Sequence, residues 1–337
     1  VLVDSDNYLE NIYEESVRNG NVADVYLMLT DELEKASMMG LTVENSTYSD
    51  LYTQKNYGNS AIEAASYKGK LYGYPVTFDV PFLVYNKNAA SSVETFSQLI
   101  DYCHNYTVND DNQNVEQLVS WDVSDMLVNY GFVCGSVTIG GESGDDNTKL
   151  SADKDLLKSL TEFVKLRDEF GIVRAETTLD SCADLFAQGK LAYTITDVSH
   201  LNTIAESGIS YGVCNIPALS DDMQIENISE NLCAFVNPYS SDVQTAKAVA
   251  NAMSYDYAAA VNSTTGLLSS RTISINSKEY KDTYGKIYEI YSKADDKAKF
   301  MGAAYFYTKF DIMLHQVWDG TDIETSVNSF LSELKVQ

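Results

Sequence analysis

Short apolar runs alternate with helix-spaced segments along most of this chain, and that alternation decides what it can fold into. Val25-Tyr26-Leu27-Met28-Leu29 is a continuous apolar run of strand length, the pattern of a buried strand. Asp31 stands where it can cap a helix carrying Leu33, Ala36, Ser37 and Met38, and Gly40 closes that helix. The same step recurs. Phe96, Leu99, Ile100 and Cys103 share one helical face, as do Leu156, Leu160, Phe163, Val164 and Phe170 ahead of Gly171. Asp180 or Ser181 is placed to cap a helix through Leu185 and Phe186, Gly189 ends it, and Leu191–Thr196 follows as a strand. Strands Tyr211–Ile216 and Leu232–Val236 come next, and from Ser240 the pattern is almost wholly helical, down to Ile323, Val327, Phe330, Leu331 and Leu334. At the other end Val1-Leu2-Val3 reads as a strand, and Leu9, Ile12, Tyr13 and Val17 fall at helical spacing before Gly20. Lys68–Pro75 is a turn-rich stretch leading into a strand over Phe82–Tyr85. Strand–helix units first and helices last predict an α/β protein with largely parallel sheets. No internal repeat is visible.

The length, 337 residues, is that of about two ordinary domains. Lys and Arg total 23 against 49 Asp and Glu, a formal charge of −26. So negative a surface repels phosphate backbones and anionic lipid, which argues against nucleic-acid binding. The arginines are only four (Arg18, Arg167, Arg174, Arg271) and scattered. Because Arg is the usual planar clamp for carboxylate and phosphate, a neutral ligand is expected over an anionic one. Apolar runs such as Val80–Tyr85 are far shorter than the ~20 residues of a membrane-spanning helix. No basic-then-apolar signal segment opens the sequence, so any export signal is expected to be removed or never present.

Chemical motifs are sparse. The five cysteines (Cys103, Cys134, Cys182, Cys214, Cys233) form no C-x-x-C pair and are expected to be small buried hydrophobes, with no zinc site. His104, His200 and His315 are far apart, and none of the usual hydrolase, metalloprotease or nucleotide-binding motifs occurs. Gly140-Gly141-Glu142-Ser143-Gly144 has no strand–helix frame, and Asn109-Asp110-Asp111-Asn112 lacks the alternating ligands of a calcium loop, so both read as solvated loops. Neither metal nor cofactor is expected. A carboxylate pair for glycoside hydrolysis stays open among so many acids. What stands out is aromatic: 24 Tyr, 12 Phe and 2 Trp. A tyrosine offers an apolar face and a polar rim, which suits a sugar ring, although most of the 24 must be packing residues.

Lys68-Gly69-Lys70-Leu71-Tyr72-Gly73-Tyr74-Pro75-Val76, followed by Leu83-Val84-Tyr85-Asn86-Lys87-Asn88, resembles the signature of the extracellular solute-binding proteins of sugar-binding family 1, the maltose-binding-protein-like group that serves ABC importers. Other segments fall in that family's order. Gly20-Asn21-Val22-Ala23-Asp24-Val25 is similar to its strand entry, with Ala23 in place of the usual proline, and Val93–Leu99 stands where its P-x-T-W-x-E-L is expected. Phe186-Ala187-Gln188-Gly189-Lys190-Leu191-Ala192-Tyr193-Thr194-Ile195 resembles its helix-to-strand step, and Trp318-Asp319-Gly320 with Glu324–Leu334 resembles its closing helix. There are two departures. The family has a strand and helix ahead of the segment matching Val1-Leu2-Val3, so the first strand–helix unit is expected to be missing. The family's G-P-W after Thr196 is replaced by Asp197-Val198-Ser199-His200, which removes a common stacking tryptophan.

The resemblance implies a two-lobed periplasmic-binding-protein type II fold, with hinged lobes closing on a ligand in the cleft. Lobe one would comprise residues 1–78 and 235–276, lobe two 82–230 and 282–337, with crossings near 78–81, 230–234 and 275–281. It implies a binding protein and not an enzyme, a monomer that takes a carbohydrate, an oligosaccharide by expectation, and hands it to ABC permease subunits. It implies a cell-surface lipoprotein or periplasmic location. The alternatives are a carbohydrate-active hydrolase and a ligand-sensing module of a membrane receptor. Carried over position by position, Asp31 and Asp79 match acidic sugar contacts, Met28 lies where an aromatic often sits, and Trp121 matches a stacking aromatic. Phe306 and Tyr307 match a late aromatic pair, and Ser199 and His200 occupy the altered position. Beside this, Asp31 is equally a plain helix cap and Asp122 a cap for the helix through Met126 and Leu127. Tyr305, Phe306 and Tyr307 cannot all face one core, since helical neighbours are ~100° apart.

Overall fold

A computed structural model describes residues 7–20, 22–153, 155–220, 222–272 and 278–334, without the side chains of 278–280. The expected strand Val1–Val3 and residues 275–277 of the expected crossing at 275–281 lie outside the described residues. In chain order the strands are β1 (Val25–Leu29), β2 (Ser66–Tyr67), β3 (Lys70–Leu71), β4 (Tyr74–Asp79), β5 (Phe82–Asn86) and β6 (Gln117–Val119). They continue as β7 (Val137–Ile139), β8 (Leu150–Ala152), β9 (Leu191–Thr196), β10 (Tyr211–Cys214), β11 (Ile228–Val236) and β12 (Asp295–Asp296).

Two four-stranded sheets organise the molecule. In the first, β11 lies between β1 and β4, antiparallel to both, and its start pairs with β12 in parallel. The second has the order β10-β5-β9-β6. Here β5 runs antiparallel to β9 and β10, and only β6 joins β9 in parallel. The expectation of largely parallel sheets is therefore corrected: most pairings are antiparallel. The physical reason is that β5 and β11 are return strands inserted between elements distant in sequence. Strand–helix alternation along a chain does not reveal who pairs with whom.

Only Val80 and Pro81 separate β4 from β5, yet these strands belong to different sheets. The local residues explain this. Tyr74, Val76, Phe78, Phe82 and Val84 are buried in succession, so the chain stays in the interior while it passes from one sheet to the next. The core they join is continuous across that passage, with Ala234 and Val236 from β11 on one side and Phe186, Val198 and Leu201 on the other. A second core fills the space behind β9 and the C-terminal helices, and a third, smaller one lies under the β1 sheet. Cys182, Cys214 and Cys233 are buried, Cys103 and Cys134 half-buried, and all five are free thiols. Among the described residues no helix is long and apolar enough to cross a membrane.

Candidate functional site

Asp79 closes β4, and its carboxylate is occupied by the chain itself. Oδ1 accepts the backbone N–H of Val80 at 2.9 Å and that of Val198 at 2.8 Å, while Oδ2 accepts the Ser199 hydroxyl. The end of one sheet is thereby tied to the first turn of the helix Val198–Glu206, which follows a strand of the other sheet. Burial, with Asp197 close by, pushes the Asp79 carboxyl well above the ordinary carboxylate range. Ser199 thus spends its hydroxyl on Asp79. His200 is turned elsewhere: its Nδ1 pairs with Asp197 Oδ1 at 2.6 Å and its Nε2 with Asp180 Oδ1 at 3.2 Å. The hydrogen bond with Asp197 is the main reason its ring pKa rises to about 9.

Asp31 is not a helix cap. The helix Leu33–Met38 has no side-chain cap, and a single 3-10 turn, Thr30–Glu32, leads into it. The Asp31 carboxylate lies 3.1 Å from the ammonium of Lys297, which also meets Glu230 at 2.6 Å. Burial works against the charge on Lys297, but Asp31 and Glu230 outweigh it and hold its pKa above the usual value. That ammonium stands 5.5 Å from the centre of the Tyr307 ring, and the Tyr307 hydroxyl accepts the Ala298 N–H at 2.9 Å. Glu230 is the register partner of Asp79 across β11 and β4, so it joins the two clusters. A cavity of about 220 Å³ opens beside them, with Asp31, Glu32, Lys35, Phe300, Met301 and Tyr307 in its wall. The site therefore offers aromatic wall residues, Phe300 and Tyr307, beside carboxylates and an ammonium.

Three expected ligand residues are placed elsewhere, and each is a correction. Trp121 is 0 % exposed. Phe96, Phe132, Phe170 and Trp318 pack around it, and its indole N–H donates to Asn129 Oδ1 at 3.0 Å, so no face is open for stacking. Met28 sits on the inward side of β1 among Leu9, Leu33 and Phe235; the period-2 alternation of the strand puts Leu27 and Leu29 outward instead. Phe306 is buried against Phe310 and Phe330. On that helix, Ala303–Trp318, Tyr305 is the residue that turns out, at 38 % exposure. Asp122 does not cap the following helix either. Asp125 does, accepting the Val128 N–H, while Asp122 accepts from Ser124 and Leu179.

Sequence reasoning missed Lys297 and Glu230. A signal for Lys297 existed, because Asp295-Asp296-Lys297-Ala298-Lys299 packs four charged residues into five positions within an otherwise helical stretch. Its pairing with Asp31, 266 positions away, is a tertiary fact.

Comparison with known proteins agrees with this architecture. The family model described as bacterial extracellular solute-binding protein matches residues 3–285. The maltodextrin-binding protein MdxE of Bacillus subtilis is 22% identical over 214 residues, which cover 59% of this chain and 49% of that protein. The match thus spans about half the length of the curated relative. A cyclo/maltodextrin-binding protein solved with maltotetraose superposes with a TM-score of 0.83 at 19% identity, covering 99% of this chain and 87% of the other. A Staphylococcus aureus extracellular solute-binding protein solved with maltose gives 0.82 at 18% identity, covering 99% and 88%. At these identities the superpositions show the fold, a two-lobed α/β architecture. With the family model matching well over half of its length, the chain belongs to the bacterial extracellular solute-binding protein family.

Proposed function

We propose that this protein binds a carbohydrate in the cleft marked by Tyr307, Lys297, Asp31 and Glu230, and delivers it to an ABC importer. The observation that carries the reading is the Tyr307 ring flanked by a charged, hydrogen-bonding rim. A sugar presents an apolar C–H face to such a ring and its hydroxyls to the rim. The maltooligosaccharide ligands of the two structural neighbours support that class of ligand. The lobes are residues 1–78 with 235–276 and 82–230 with 282–337, hinged near 78–81, 230–234 and 275–281. The change of sheet between β4 and β5 supports the first crossing. In this reading the protein works as a monomer outside the cytoplasmic membrane, releases its ligand unchanged and uses no cofactor.

Among the described residues Tyr307 and Phe300 are the aromatic side chains in the cavity wall, whereas Trp121 and Phe306 pack into the core away from it. Calorimetry against glucose, maltose, maltotriose and maltotetraose tests the reading. Saturable binding of at least one is expected, weakened in Tyr307→Ala by about 1–2 kcal/mol, the scale of an aromatic contact. No heat with any of these sugars, or release of the chromophore from a chromogenic glucoside, sinks it.

A further inference from the structure

Lys297 stands on a short strap, Asp295 to Lys299, that carries four charges in five residues. Two of these charges are turned into the protein. The side chains of Asp296 and Lys299 are 5 % and 1 % exposed, and their charged ends lie 3.5 Å apart. Asp296 Oδ1 accepts the Asn231 side-chain amide at 2.9 Å, and the Asn231 side-chain oxygen accepts the Tyr291 hydroxyl. The Lys299 ammonium donates to the Glu63 carbonyl. Burial pushes the Asp296 carboxyl up to about 6, against the pull of Lys299 and Asn231, so it is ionised at neutral pH. A buried ion pair adds little stability over apolar side chains of the same size, because taking two charges out of water is costly. A pair kept inside under that cost points to geometry.

The backbone shows what is held. The Asp295 and Lys297 N–H groups donate to the Asn227 and Ser229 carbonyls at 2.9 and 3.1 Å, which seats β12 against the start of β11. Two residues on, the Lys299 N–H donates to the Gly144 carbonyl at 2.7 Å, and the Lys299 carbonyl accepts the Glu34 N–H at 3.3 Å. Between these anchors Lys297 reaches Asp31 and Glu230, and Ala298 gives its N–H to the Tyr307 hydroxyl.

We propose that Asp296 and Lys299 are positioning residues for the cleft. Their buried pair, held by Asn231 and the Glu63 carbonyl, sets the strap so that Lys297 stands between Asp31 and Glu230 with Tyr307 beside it. The consequence for affinity rests on the sugar-cleft reading; the placement of Lys297 does not.

Asp296→Asn with Lys299→Met tests this, since it removes both charges at nearly constant volume and leaves neither buried alone. Its melting should stay close to that of wild type. In carbon NMR titrations of the lysine side chains, with Lys297 assigned through Lys297→Arg, the Lys297 signal should titrate above the ordinary lysine range in wild type and fall toward it in the double variant. Calorimetric affinity for the best-bound sugar of the glucose-to-maltotetraose series should fall roughly fivefold or more, and the same two changes made in a Lys297→Met background should lower it no further. If the double variant does not fold, as read by circular dichroism, Asp296→Asn alone carries the same comparisons. An unchanged Lys297 titration would overturn the proposal, and so would an equal loss of affinity with and without Lys297. If wild type binds none of these sugars while the Lys297 titration shifts as expected, the sugar reading falls and the positioning role stands.

Discussion

Asp79 and His200 are neighbours in the same hydrogen-bonded corner, and their protonation bears on stability in one direction. The His200 ring pKa, near 9, exceeds its ordinary 6.5 because of the hydrogen bond with Asp197. Its stabilisation is therefore complete below pH 6.5 and is lost as pH climbs through 9. The Asp79 carboxyl is also raised, by burial and then by Asp197, so the fold favours its neutral form and loses that preference as pH rises through the raised value. Urea melts at pH 6, 7.5 and 9 should show declining stability, and His200→Gln should flatten the change between 6.5 and 9. A slope unaltered by His200→Gln would remove the histidine from this account. Trp121 belongs to the same scale. Removal of a ring so enclosed should cost about 3–5 kcal/mol in urea unfolding, with ligand affinity of the folded fraction unchanged. A stable Trp121→Ala protein with reduced affinity would restore the stacking role that its sequence position suggested.

At the scale of elements, local chemistry and packing answer for different things. The helix Leu179–Ala187 begins with a reciprocal cap, in which Thr178 accepts the Ser181 N–H and Ser181 accepts the Thr178 N–H. The expected caps, Asp180 or Ser181, were off by two or three residues, because several polar side chains in a row fit the same signal. Thr178→Ala should destabilise the protein by about 1 kcal/mol, measured by thermal melting against wild type. The β7–β8 hairpin makes a stricter demand. Gly140 has φ +74°, and a Cβ there would fall 2.6 Å from the Gly144 carbonyl carbon, which is backbone and cannot swing away. Gly140→Ala should therefore cost more than Gly171→Ala, where φ is +65° but the space is open. Equal melting of the two would show that the hairpin tip rearranges freely. This loop was legible as glycine-rich but not as a contact surface. Its partner, the Lys299 segment, lies more than 150 positions on.

For the whole molecule, the two sheets meet through the β4–β5 passage and through contacts that span it. Asp79 reaches Val198 and Ser199, and the β2–β3 and β7–β8 hairpins meet where Asp145 accepts the Lys68 N–H at 2.7 Å. If hinged lobes close on ligand, saturating sugar should reduce the radius of gyration in solution scattering and raise the melting temperature by binding linkage. A raised melting temperature with unchanged scattering would count against closure. The sequence alone determined what depends on neighbours along the chain. It placed β1 and β9 at their observed limits, because each apolar run is bounded by residues that end it. It also indicated one exposed residue among Tyr305–Tyr307, because helical geometry forbids three in a row on one face. The order of family-like segments pointed to the two-lobed fold. Tertiary structure decided the rest. Antiparallel pairing in both sheets follows from which strands are inserted between which. The inward turn of Trp121, Met28 and Phe306 follows from cores assembled out of distant segments. The charged rim of the site exists because Lys297 arrives from the far end of the chain to stand between Asp31 and Glu230, and no periodicity or spacing records an encounter of that kind.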